Sequence, residues 1–544
     1  MASSVLLAVV PALLALAVSR LWSYAVVRLV WRPRAVARML REQGVRGPPY
    51  RFLRGSSEDI RRMKAEAGGV ELDVHDHDYP RRVLPHFVRW KDQYGGPFVY
   101  WFGPRPRICI DDYDMVKQIL ANKSGHFMKN DAHPTVLAII GKGLIMVEGK
   151  DWVRHRTVVN PAFAMDKLKM MTRTMVSCAE CLIKKWEDQA ANNKSREIEV
   201  EFSKQFQELT ADVISRTAFG SSYKEGKEVF HAQKQLQAIT VETLLNLRIP
   251  GFKYLPTKRN RYQWMLEKKI QNMLSEMIQY RVALKESGFG DDLLGVMLQA
   301  CFTEEQGEKQ GGVTLSIDEI IDECKTFFFA GHETTSHLLT WTMFLLSVYP
   351  EWQERLREEV LRECGNKKPN ADMLSKLKEM TMVLLETLRL YGPVIVMLRK
   401  PISDMKLGSL NLRKDNEIVI PIPILHRDKD VWGEKANEFD PMRFENGITK
   451  AAKISHALLG FSIEAGAMLP FRKKNLAKKA KEECTVDQIP VMPEGVDEEE
   501  ATRFTMKAHK SIRRHYKCHL GIPRRSCLMG LSEEESLRVA MEAS

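Results

Sequence analysis

The chain has 544 residues, 44% of them hydrophobic and 28% charged, which suits a folded protein with a sizeable core and excludes a disordered or fibrous one. Its formal net charge of +12 suits an anionic surface, but the basic residues are dispersed and carry no nucleic-acid module signature, so no nucleic-acid partner is expected. Nine cysteines, an odd number scattered along the chain, exclude a secreted disulfide framework and point to a reducing compartment.

Ala2 to Ser19, ASSVLLAVVPALLALAVS, is uncharged and approaches the length of a bilayer span, and LWSYAVV continues the pattern past Arg20. Arg28, Arg32, Arg34, Arg38 and Arg41 follow it, which places the bulk of the protein on the cytosolic side. The cationic start and small-residue cleavage site of a signal peptide are missing. Residues 1–31 are therefore expected to be an N-terminal membrane anchor, with the membrane as a partner. Residues 32–49, basic and ending in Gly47-Pro48-Pro49, read as a stiff hinge before the body at 50–463.

Within the body, PFVYWFGPRPRICID alternates apolar and polar residues about Gly103-Pro104 and predicts strand, turn, strand. AMDKLKMMTRTMVSCAECLIKKWEDQA and RYQWMLEKKIQNMLSEMIQYRVALK carry apolar residues at helical spacing, whereas MKLGSLNLRKDNEIVIPIPILHRD returns to strand-like alternation. The expected fold is mainly α with small β-sheets. Cys178 and Cys181 form a C-x-x-C inside a helix without zinc spacing, and read as two core-side thiols. Thr303 to Gly312 reads as a loop, followed by a long helix from about Ser316.

That helix, SIDEIIDECKTFFFAGHETTSHLLTWTMFLLSVYP, carries the first chemistry. Ala330 and Gly331 form a notch in its middle, and Glu333, Thr334 and Thr335 place a carboxylate and hydroxyls among apolar turns, where polar groups need partners. In the alternative reading the threonines bond back to carbonyls one turn earlier and only bend the helix. His332 and Glu333 suggest the zinc motif H-E-x-x-H. Position 336 is Ser336, however, and His337 points to another face, so no metal site is expected here.

A-G-x-E-T-T in a long apolar helix resembles the distal helix of the cytochrome P450 family, the haem-thiolate monooxygenases. The resemblance extends to Glu386-x-x-Arg389 in EMTMVLLETLRLYGP and to Arg443 in FDPMRFENG, which in the family form a buried Glu-Arg-Arg triad. It extends also to the W-x-x-x-R of Trp152 and Arg156, to NPAF at 160–163 and to LHRD at 425–428. It implies a cytochrome P450-like fold in which Ala330 and Gly331 make room above a haem, Glu333 delivers protons and Thr334 serves oxygen activation. Trp152 and Arg156 would grip one haem propionate and Arg399 the other. Electrons would come from NADPH through a separate cytochrome P450 reductase, at the endoplasmic reticulum membrane. RFLRGSSEDIRRMKAEA and DAHPTVLAIIGKGLIMVEG resemble the plant clan of fatty-acid, cytokinin, brassinosteroid and gibberellin oxidases. By the same resemblance, residues 133–143 and Phe327 to Phe329 would line a pocket for a small apolar substrate.

The pattern breaks after Ile463. The family's haem loop reads F-x-x-G-x-R-x-C-x-G; here Phe461 is in place, but Glu464, Gly466, Met468 and Pro470 stand where glycine, arginine, cysteine and glycine belong. A methionine thioether lacks the electron push of a thiolate. Met468 is therefore expected to support no monooxygenation, and haem binding itself is in question. Residues 464–544 read as a tail outside the family pattern, leaving that part of the fold incomplete. Cys527, in IPRRSCLMG, lacks the loop's spacing, and His509, His515, Cys518 and His519 meet no zinc spacing. Two functional readings follow: an anchored haem monooxygenase, or a non-catalytic membrane protein of the same fold.

Overall fold

A computed structural model describes residues 16, 19, 20, 22–122, 125–193, 198–220, 223–243, 254–284, 288–305, 314–414 and 416–460. Fourteen helices carry these residues: α1 (Arg32–Glu42), α2 (Ser57–Gly68), α3 (Pro85–Tyr94), α4 (Tyr113–Ala121), α5 (Pro134–Ile140), α6 (Gly149–Val159), α7 (Met165–Ala191), α8 (Phe202–Phe219), α9 (Tyr223–Thr243), α10 (Lys258–Ala283), α11 (Leu293–Glu305), α12 (Ile317–Val348), α13 (Pro350–Cys364) and α14 (Lys378–Tyr391), besides shorter turns. Seven strands accompany them: β1 (Phe98–Phe102), β2 (Arg105–Cys109), β3 (Phe127–Lys129), β4 (Val396–Pro401), β5 (Met405–Leu407), β6 (Leu410–Leu412) and β7 (Glu417–Pro421). The fold is mainly helical with small sheets, as the patterning predicts.

The larger sheet has the order β1-β2-β7-β4-β3, and β5 pairs with β6 in the smaller one. β1 and β2 form the hairpin expected around Gly103-Pro104, pairing Phe98 with Cys109 and Phe102 with Arg105. Among the described strands of the larger sheet, β2 and β7 are the parallel neighbours, in which Ile108 faces Ile418. β7 is buried at every position, so it packs on both faces although its sequence alternates only loosely.

α12 begins where the sequence places it. The Ser316 hydroxyl accepts from the Glu319 N–H, and the Glu319 carboxylate accepts from the Ser316 N–H, closing two orphan donors at the helix start. Its 32 residues cross the body against α8, α5 and α14. Phe328, expected at the pocket, is buried: it stacks on Phe219 at 4.0 Å and meets Phe230 edge-on, so it ties α12 to α8 and α9.

Other expectations change. α11 runs through Glu305, so helix replaces the first three residues of the predicted loop; Gln306 to Val313 lie outside the described residues. Cys178 is buried and hydrogen-bonded to Asp212, but Cys181 is exposed, because the two lie on different edges of α7. No helix among the described residues is long and apolar enough to cross a membrane, while most of the apolar run Ala2 to Ser19 lies outside them. The basic half of the expected hinge is helix α1, which buries Pro33, Val36 and Leu40. Gly44 to Tyr50 lies along β1: the Val99 N–H donates to the Arg46 carbonyl at 2.9 Å, and the Trp101 indole donates to the Pro48 carbonyl at 3.2 Å.

Among the described residues, His77 and His426 are buried and His337 half-buried, and all three are held without charge. Burial first, then the nearby Arg427, pushes His77 down to about 3; its ring nitrogens meet the Tyr391 and Tyr349 hydroxyls at 2.8 and 2.9 Å. Burial and Arg389 push His426 down to about 3 as well, and its Nε2 accepts from the Leu459 N–H at 2.9 Å. Burial takes His337 to about 4. The unfolded chain binds these protons near pH 6.5 and the folded chain does not, so this stability is complete above about pH 6.5 and is lost as pH falls toward the folded values. The thermal unfolding midpoint is expected to drop steadily from pH 7 to pH 5. A flat profile over that window would show that the histidines are not held neutral.

Candidate functional site

The middle of α12 places Ala330, Gly331, Glu333 and Thr334 on adjoining faces of one helix, all half-buried. The Thr334 hydroxyl donates to the Ala330 carbonyl at 2.6 Å, the back-bonded arrangement of the alternative reading. Its oxygen lone pairs stay available to a further donor. Glu333 Oε2 lies 3.4 Å from His332 Nδ1, and burial holds His332 below its ordinary value against the pull of that carboxylate. Across the interface, the Thr210 hydroxyl of α8 donates to the His332 carbonyl at 3.1 Å. A methyl group on Gly331 would sit 2.7 Å from Ile214 Cδ1, so the missing side chain is used for close packing of α12 on α8. His332 and His337 serve different neighbours, and among the described residues no group of three His, Cys, Asp or Glu could hold a metal ion.

Glu386 and Arg389 meet three residues apart on α14, both fully buried. Arg389 Nε donates to Glu386 Oε2 and a terminal nitrogen to Oε1, each at 2.7 Å. Arg389 also donates to the carbonyls of His426, Ala436 and Glu438 at 2.7, 2.6 and 3.1 Å, while Glu386 accepts from the Asp440 N–H at 3.0 Å. Arg443 joins them at longer range: its Nε lies 3.7 Å from Glu386 without a hydrogen bond, and its terminal nitrogens bind the carbonyls of Trp432 and Lys435. Glu386, Arg389 and Arg443 are thus brought together, with Arg443 acting mainly on the backbone. The packing continues to the edge of the described chain, where Ala457 and Leu459 are buried.

Trp152 and Arg156 lie one turn apart on α6. Arg156 is buried, its guanidinium makes no hydrogen bond or ion pair with any described residue, and it is lowered by burial alone. A buried guanidinium without an anion is costly, so this position calls for an anionic group beyond the described residues. A haem propionate meets that need, with the Trp152 indole on the same face as a further donor. On this side the residues fit the cofactor. Arg399 is buried on β4 and donates to the Leu398 carbonyl at 2.8 Å. Met468, Cys527, His509, His515, Cys518 and His519 all lie outside the described residues.

Sequence reading missed the polar partners that hold α6 on α12. Arg154 pairs with Glu319 through both terminal nitrogens, at 2.9 and 2.5 Å, which holds the Glu319 carboxyl down to about 2. His155 Nδ1 lies 2.5 Å from Glu323 Oε1. Both pairs join residues more than 160 positions apart, and no local spacing announces them. Glu359 was also missed; it accepts from the Glu379 and Met380 N–H groups at 2.8 and 2.9 Å and so caps α14 from a neighbouring helix. Its signal was a lone carboxylate at an apolar helical position.

The family model described as Cytochrome P450 matches residues 78–463. Among similar proteins, cytochrome P450 709B1 of Arabidopsis thaliana is 46% identical over 439 residues, covering 80% of this chain and 83% of that protein. Cytochrome P450 709B3 of the same plant is 45% identical over 454 residues, covering 83% and 86%. Secologanin synthase 1 of Catharanthus roseus is 40% identical over 446 residues, covering 81% and 84%.

Proposed function

The chain belongs to the cytochrome P450 family of haem-dependent monooxygenases, and from that premise we propose that it keeps the family's cofactor cradle and scaffold but not its catalysis. The observation that carries this reading is the haem loop, where Met468 stands in the place of the thiolate ligand. Haem held by a thiolate supplies the activation of oxygen. The chain's own groups do the rest of the work. Arg156 and Trp152 bind and orient a carboxylate, Thr334 offers a hydroxyl oxygen to a proton donor, and Glu333 places a carboxylate at the neighbouring position of α12. Apolar walls from α12 and residues 133–143 exclude water and favour a small, largely apolar substrate, of the fatty-acid, cytokinin or terpenoid and steroid-hormone kind.

The second reading, a working monooxygenase fed by NADPH through cytochrome P450 reductase, is favoured by the buried Glu386–Arg389 pair and by Arg156, whose guanidinium has no partner among the described residues. In both readings the protein is anchored in the endoplasmic reticulum membrane by its first 31 residues. Support comes from the apolar run Ala2 to Ser19, from exposed Trp22, Tyr24 and Trp31, and from the arginines that follow.

The carbon monoxide difference spectrum of the reduced protein in membranes separates the two. No strongly red-shifted Soret band is expected. Such a band would show that a thiolate reaches the iron and would restore the monooxygenase reading, with Cys527 as the first residue to replace.

A further inference from the structure

The two motifs that define the site in sequence, one on α6 and one on α12, meet in the fold through residues to which neither motif gives a part. His155 is 1% exposed and Glu323 0%, with 2.5 Å between Nδ1 and Oε1. Beside them Arg154 holds Glu319, one turn earlier on α12, through both terminal nitrogens, and donates to the Thr314 carbonyl at 2.9 Å. His155 Nε2 also lies 3.5 Å from Glu319 Oε1.

Successive residues of a helix project about 100° apart. Anchoring positions 154 and 155 to two carboxylates one turn apart fixes both the rotation of α6 and its slide along α12. The next direction belongs to Arg156, whose guanidinium has no partner among the described residues. On α12, Glu323 precedes Thr334 by three turns, so the two share a face about 16 Å apart. Glu323 Oε2 finds no hydrogen-bond partner among the described residues and abuts the turn after α5, where a methyl on Gly143 would lie 2.7 Å from it. A buried carboxylate with half its hydrogen-bonding capacity unused is a poor device for stability alone, and setting a register is the better-attested use of such groups.

We propose that the His155–Glu323 pair is the positioning device of the cofactor cradle: it registers α6 against the face of α12 that carries Ala330 and Thr334, and so presents Arg156 to a porphyrin carboxylate. The inference rests on the reading of Arg156 and Trp152 as a carboxylate grip, and it does not need an axial thiolate.

Iron-free protoporphyrin IX, which carries the carboxylates but requires no axial ligand, is the probe. Its fluorescence is titrated with the full chain, with Arg156→Ala, Glu323→Ala, Glu323→Gln and the Arg156→Ala/Glu323→Ala double variant. Arg156→Ala is expected to bind at least about tenfold more weakly, and Glu323→Ala about tenfold, the loss usual for groups that orient a ligand from behind. The double variant should bind no more weakly than Arg156→Ala, because Glu323 acts through it. Glu323→Gln, which keeps an acceptor for His155, should recover most of the affinity. Wild-type affinity in Glu323→Ala, or full additivity in the double variant, would overturn the proposal. Should Glu323→Ala fail to give a cooperative thermal transition, His155→Phe takes its place in the same comparison. If the unaltered chain does not bind the porphyrin, the carboxylate grip itself is refuted, a result distinct from a neutral Glu323.

Discussion

Replacing Glu386 by alanine is expected to destabilise the folded body by about 3–5 kcal/mol, the usual loss when one member of a buried ion pair is removed. Arg389 would remain fully buried with its charge uncompensated, held only by the carbonyls of His426, Ala436 and Glu438. The Asp440 N–H would lose its acceptor as well. Arg443→Ala should do less, since its Nε makes no hydrogen bond and only two backbone contacts would go, one part-buried and one exposed, each with a net worth of about 1 kcal/mol. Denaturant unfolding of the purified chain and both variants checks the order. Should Glu386→Ala lie within about 1 kcal/mol of the unaltered chain, the pair is not what secures α14 to the stretch from His426 to Arg443.

Gly47→Ala is expected to destabilise by about 3 kcal/mol, at the upper end for adding one methyl to a packed site. The methyl carbon would sit 2.8 Å from the Val99 carbonyl carbon and closer still to its oxygen. Backbone of β1 cannot swing aside as a side chain would, so the connector itself must lift. The hydrogen bonds from Val99 and from the Trp101 indole would go with it. Hydrogen exchange at those two groups reads this directly, and both are expected to accelerate. Gly68→Ala is the control: a methyl there meets nothing within 4 Å at the end of α2, and the change should stay within about 1 kcal/mol. Unaltered exchange at Val99 in Gly47→Ala would mean that the connector is not pinned to the sheet.

Much of the architecture was legible because it is local. Ser316 and Glu319 announce the start of α12 by a capping box that depends on residues three apart. The turn at Gly103-Pro104 announces the β1–β2 hairpin, and Glu386 and Arg389 meet because three positions on a helix bring side chains together. The order of these words along the chain was enough to identify the family. The substitution of Met468 for the expected cysteine is also wholly a matter of sequence, and it bears on function more than any distance does.

What tertiary structure decided is every contact between distant positions. That Gly331 accommodates Ile214, that Phe328 stacks on Phe219, and that Cys181 faces outward while Cys178 is buried follow from which helices become neighbours. A helical period gives a residue's direction but not the partner it meets. Arg156 looked like a propionate ligand by resemblance, yet only the fold shows it buried without an anion among the described residues, and only the fold sets His155 against Glu323. The physical reason is one of range: caps, turns and one-turn pairs are set by backbone geometry over three or four residues, whereas burial and the pairing of charges depend on how whole helices pack.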